Sequence, residues 1–191
     1  MKRAASLFLA IFLMVPAISK AYEVQYEYWV ISGKAGIAYP VDVFGDFNDL
    51  GFSGCISARR GLDMEVSVGG SIGFNNMPYK ADSAPAPFSA FILNGEIVYA
   101  PYLPDFFVWP YLKAGLGIYM VDFTRLAGIE DPIKDSATTL GFVIGGGINY
   151  PLSNELLATV EVLYNHAAFD GGQSNVYTFF TFNAGVSYLL K

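Results

Sequence analysis

Apolar and polar positions alternate along this chain with a period of two, the spacing of side chains on a β-strand. From Trp29 to Tyr39, the positions Trp29, Ile31, Gly33, Ala35, Ile37 and Tyr39 oppose Ser32, Lys34, Gly36 and Ala38. Met64, Val66, Val68, Gly70, Ile72 and Phe74 likewise oppose Glu65, Ser67, Gly69, Ser71 and Gly73. The split recurs from Leu112 to Met120, Leu140 to Tyr150, Leu156 to Asn165 and Phe180 to Leu190. With the weaker stretches Gly51 to Arg59 and Phe88 to Ala100, the pattern predicts eight strands.

Two architectures share such a pattern and differ in which face turns inward. A soluble barrel encloses its apolar face; a transmembrane barrel turns it outward to lipid and encloses the polar one. Here the polar face is made of Gly, Ser, Thr and Asn with one Lys or Glu on several strands, while the apolar face carries no charge at mid-strand in the six strong candidates. Small polar side chains fill a narrow bore and make a poor water-facing surface. Aromatic residues gather near the strand ends: Trp29, Tyr99, Trp109, Tyr150 and Tyr188 toward one rim, and Tyr39, Phe74, Phe123 and Phe169 toward the other. These are the girdles expected where such a barrel meets the two membrane surfaces. The predicted fold is all-β, an eight-stranded antiparallel up-and-down transmembrane β-barrel.

The N-terminus supports export. Lys2 and Arg3 precede an apolar run from Ala4 to Val15, which Pro16 breaks before Ser19, Lys20 and Ala21. That order predicts a signal peptide over residues 1–21, cleaved near Ala21, followed by the barrel over 22–191. A dozen apolar residues fall short of the roughly 20 that a membrane-spanning helix needs.

Composition narrows the class. Of 191 residues, 53% are apolar and 15% charged, against about 25% charged in an ordinary soluble domain. The 20 glycines and the 16 Phe, 13 Tyr and 2 Trp favour strands and turns. One cysteine permits no internal disulfide, and no Cys/His spacing suggests zinc. Losing Lys2, Arg3 and Lys20 with the leader takes the formal charge from −6 to −9, which argues against nucleic acid as a partner.

With the N-terminus in the periplasm, turns there should be short and the outer loops longer. Arg59-Arg60-Gly61 and Pro151 to Asn154 are tight, whereas Pro40 to Leu50, Asn75 to Pro87 and Thr124 to Ala137 are longer. Pro101 to Val108 is long for its inner assignment and is expected to lie along the membrane surface. By parity, Lys34, Glu65, Glu96, Lys113 and Glu161 point into the bore, with Arg59 at the inner mouth. Eight strands enclose just enough space for side chains, and buried charges need partners, so these six are expected to form a lumenal ion-pair network. A proton or ion path along them is the alternative. Cys55 is read as a small lumen filler.

From Tyr28 onward the chain resembles the eight-stranded outer-membrane barrels of the OmpA/OmpX and OmpW types. The resemblance rests on Pro110 to Gly117 (PYLKAGLG), on Gly145 to Tyr150, and on Leu157 to Tyr164 with Glu161 at the inward acidic position. Asn183, Gly185, Tyr188 and Leu190 resemble the C-terminal signal read by the barrel-assembly machinery, although the chain ends in Leu190-Lys191 where such signals often end in Phe. The resemblance implies an integral outer-membrane protein, a monomer among outer-membrane lipids and lipopolysaccharide, with no cofactor. It also brings two rival roles. One is an OmpW-like conduit for small apolar molecules. The other is a lipid A-modifying enzyme, for which His166 is the candidate base; the nucleophilic Ser expected two positions later is Ala168. Asp42, Asp46, Asn48 and Asp49 are oxygen donors in the first outer loop, without the spacing of a calcium loop. The favoured reading is a non-enzymatic barrel, structural or acting through its outer loops.

Overall fold

The computed structural model describes residues 28–80, 87–101, 103, 107–125, 133–169 and 175–190. The leader and Asp105-Phe106 of the long inner connection lie outside these residues. Eight strands follow one another: β1 (Trp29–Pro40), β2 (Gly51–Gly61), β3 (Val66–Met77), β4 (Phe88–Tyr99), β5 (Trp109–Arg125), β6 (Ile133–Pro151), β7 (Leu156–Phe169) and β8 (Asn175–Leu190). Each pairs antiparallel with its neighbours in sequence, and β8 returns to β1 from Trp29↔Leu190 to Pro40↔Phe179, closing the barrel. Closure leaves every strand paired on both sides, which hydrocarbon demands because it offers no hydrogen bonds to a free edge.

The parity reading of the faces holds at its test positions. Val160, Phe182 and Leu116 stand outside at 52%, 43% and 48% exposure, whereas Lys34, Glu96, Lys113 and Glu161 are buried inside. Trp29, Trp109, Tyr150 and Tyr188 are all exposed on the outer wall at the inner ends of β1, β5, β6 and β8. There the Tyr188 hydroxyl donates to Glu155 Oε2 at 2.6 Å.

Two expectations are corrected. Phe123 does not belong to the outer girdle. The alternation that turns Leu112 to Met120 outward puts Phe123 on the inward set, and its ring lies 6.2 Å from that of Tyr177. The Phe169 side chain lies outside the described part. Glu65 does not reach the lumen either, because β3 begins one residue later. The Asp63 carboxylate accepts the backbone N–H groups of Glu65 and Val66 at 2.7 and 2.6 Å, a side-chain turn that bends the chain before Glu65 can enter the strand.

The first outer loop is structured. After Val41 the chain forms a single short helix, α1 (Asp42–Phe47), over the outer mouth.

Candidate functional site

The lumen has two zones. Its inner half is polar, built from the small residues that the alternation supplies, with long charged side chains laid across them. Lys34 Nζ on β1 meets Glu161 Oε2 on β7 at 2.6 Å, and Lys113 Nζ on β5 meets Glu96 Oε2 on β4 at 2.6 Å. The Tyr111 hydroxyl donates to Glu161 Oε2 at 2.9 Å, and the Cys55 thiol points at Glu161 Oε1 from 4.0 Å. Arg59 stacks its guanidinium over the Tyr111 ring, 5.6 Å from the centroid. A hydroxyl chain runs alongside: Ser32 Oγ to Ser187 Oγ at 2.8 Å, Ser187 Oγ to Thr159 Oγ1 at 2.9 Å, and Thr159 donating to Asn149 Oδ1 at 2.8 Å. Glu161 is therefore the node of the inner half, joining β1, β5 and β7.

Of the six charged residues expected in the lumen, the structure brings together Lys34 with Glu161 and Lys113 with Glu96. It places Arg59 beside them on an aromatic ring and Glu65 in the β2–β3 turn. Asn183 and Gly185 of the C-terminal motif line the same half, opposite Gly36 and Lys34, while Tyr188 and Leu190 face outward.

The outer half departs from the expected polar lumen. Ala38, Met77, Phe88, Ala90, Ile92, Tyr119, Val121, Ala167, Tyr177 and Phe179 turn inward there and form an apolar layer. Phe44 of α1 completes it from above. Its ring packs edge-on against Phe88, centroids 4.8 Å apart, and against Tyr177 at 5.1 Å. At the boundary the Tyr119 hydroxyl lies 3.2 Å from both Asn165 Oδ1 and the Phe142 carbonyl.

Sequence reasoning missed this layer. The signal was present in Phe88, Ala90 and Ile92, apolar residues on the inward parity of β4. Nothing local marked Phe44, which is inward only because its loop folds over the mouth. The loop's oxygen donors form no cation site: Asn48 turns in and donates to the Phe44 carbonyl at 3.1 Å. No group of three or more metal-binding side chains exists among the described residues.

His166 sits on the outer wall, with its ring 5.1 Å from Phe142. Its Nδ1 lies 3.2 Å from the Thr178 hydroxyl on β8. A base beside a hydroxyl is the start of a nucleophilic site, but Thr178 is only 2% exposed, so a lipid substrate has no path to it.

Residues 5–189 match the family model described as the outer membrane protein beta-barrel domain. The chain belongs to this family. Among solved structures, Neisserial surface protein A is similar over 84% of this chain and 96% of its own, at 19% identity and a TM-score of 0.62. The outer membrane protein OprG of Pseudomonas aeruginosa is similar over 86% and 96%, at 14% identity and 0.56. Ail of Yersinia pestis, solved with the heparin analogue sucrose octasulfate, is similar over 86% and 99%, at 13% identity and 0.55. At these identities the likeness is one of fold. No curated protein matches the chain.

Proposed function

We propose that this protein is a closed, non-enzymatic barrel of the outer membrane that braces the membrane and presents its outer loops. The observation that carries this reading is the filled bore. Two buried ion pairs lock the inner half, and an aromatic layer sealed by Phe44 occupies the outer half. A bore of eight strands has little room beyond its side chains. Residues 1–21 act as the export leader, and outer-membrane lipids and lipopolysaccharide surround a monomeric wall. The barrel-assembly machinery reads Asn183, Gly185, Tyr188 and Leu190.

The apolar outer layer favours one second reading, an OmpW-like conduit for small apolar molecules. Planar-bilayer recording with the purified protein separates the closed barrel from an open pore: a silent trace is expected, and steady openings would overturn the closed reading. Uptake of a small apolar solute faster than in strains lacking the protein would favour the conduit. Unchanged lipid A masses on overexpression are expected from a barrel without catalysis.

A further inference from the structure

The inner half of the lumen holds more polar atoms than its protein partners satisfy. Ser57 Oγ, Arg59 Nε, Asn75 Oδ1, Asn94 Oδ1, Glu96 Oε1, Asn165 Nδ2 and Asn183 Oδ1 are buried without a hydrogen-bond partner among the described residues. The strand registers order them along the axis. Arg59 lies opposite Val30 near the inner mouth, Glu96 and Asn94 lie higher on β4, and Asn75 and Asn165 lie level with Ala90 and Phe179, at the base of the apolar layer. Buried polar groups in folded proteins are satisfied by protein or by ordered water. A file of such atoms up one bore is therefore a file of water sites, running from the inner mouth to the underside of the aromatic layer.

The seal above that file is a loop residue. Every other member of the apolar layer comes from a barrel strand, but Phe44 comes from α1. The seat of α1 is made of individual polar bonds: Val41 N–H to the Thr178 carbonyl at 3.0 Å, Asp49 N–H to the Pro78 carbonyl at 2.8 Å, and the Lys80 ammonium to the Gly45 carbonyl at 2.7 Å. The closed seat also carries two costs. Asp42 at the helix entry has φ of 55°, in the left-handed region that non-glycine residues seldom occupy. Asn48 is buried with its Oδ1 unpaired, a penalty that opening to water would relieve.

We propose that α1 is a movable stopper, and that withdrawal of Phe44 joins the hydrated inner file to the outside, making a conduit for water and small anions. The reading rests on the closed barrel proposed above and adds the place where it opens. Apolar constrictions block ions by excluding water, so one ring at a narrow point decides conduction. The anion preference follows from the charges along the file. Lys34 and Lys113 are neutralised by Glu161 and Glu96, while Arg59 has an aromatic ring and no carboxylate in the ion pairs described, leaving the bore positive.

The test is bilayer recording in a potassium chloride gradient with the full chain, the Phe44→Ala variant, and a variant whose residues 42–47 are replaced by Gly and Ser. Barrel folding of each is checked by circular dichroism and by migration of the unheated sample. The wild type is expected to stay silent, and both variants are expected to show discrete openings that reverse toward the chloride equilibrium potential. Folded variants that both stay silent, or openings that prefer potassium, would overturn the stopper. Openings already present in the wild type would instead overturn the closed barrel on which it rests.

Discussion

Lys34 on β1 reaches past β8 to form a 2.6 Å ion pair with Glu161 on β7, and both side chains are almost wholly withdrawn from solvent. Such a pair is a poor source of net stability, since removing two charges from water costs about as much as their attraction returns. What it supplies is a cross-brace between strands that share no ladder. Breaking it is another matter, because one charge is then left alone inside.

The Glu161→Ala variant accordingly strands Lys34 and removes the acceptor of Tyr111. The expected loss is about 3–5 kcal/mol of unfolding free energy, measured by urea unfolding in lipid vesicles. Glu161→Gln should lose less, because the amide oxygen still accepts from Tyr111. Equal stability of the Ala variant and the wild type would mean that solvent reaches the pair.

A charge on the opposite face of the same strand tests the membrane. Val160 adjoins Glu161 in sequence but stands 52% exposed on the outer wall. It pairs with Ile148 and Ala184, well inside the girdle residues Tyr150 and Tyr188. Val160→Arg is expected to cost about 2–4 kcal/mol at mid-membrane depth. Vesicles of longer-chain lipids should increase that cost, and detergent micelles, with their thinner and more mobile apolar layer, should reduce it. A variant that folds equally in all three would place Val160 outside the hydrocarbon.

The faces of the strands were legible because a two-residue period leaves each side chain only two environments. Val160 and Glu161 could be assigned without knowing any register. Partners were harder. That Lys34 meets Glu161 and Lys113 meets Glu96 depends on strand stagger, which alternation does not encode. Glu65 fell on the inward parity, but Asp63 captured its backbone N–H and ended the strand pattern early. Phe44 lay beyond any periodic argument, since its burial comes from a loop closing on Phe88 and Tyr177, residues separated from it by most of the chain. The export leader and the chain of residues through Asp105 rest on sequence alone.

Gly185 shows how a position in the C-terminal motif can serve the lumen as well as assembly. It lies directly opposite Lys34, and a Cβ placed on it would sit 2.1 Å from the Gly33 carbonyl oxygen and 2.7 Å from Lys34 Cα. Both are backbone atoms, so no side-chain rotation relieves the contact and the two strands must part. Separation there would also draw Lys34 away from Glu161. Gly185→Ala is therefore expected to lower stability by about 1–3 kcal/mol, read by the same unfolding assay. Combining it with Glu161→Ala distinguishes this route from a plain assembly defect. If the glycine acts through the ion pair, the double variant loses less than the two single losses together. If Gly185 serves only recognition by the assembly machinery, the purified variant refolds in vesicles with wild-type stability and fails only in the cell.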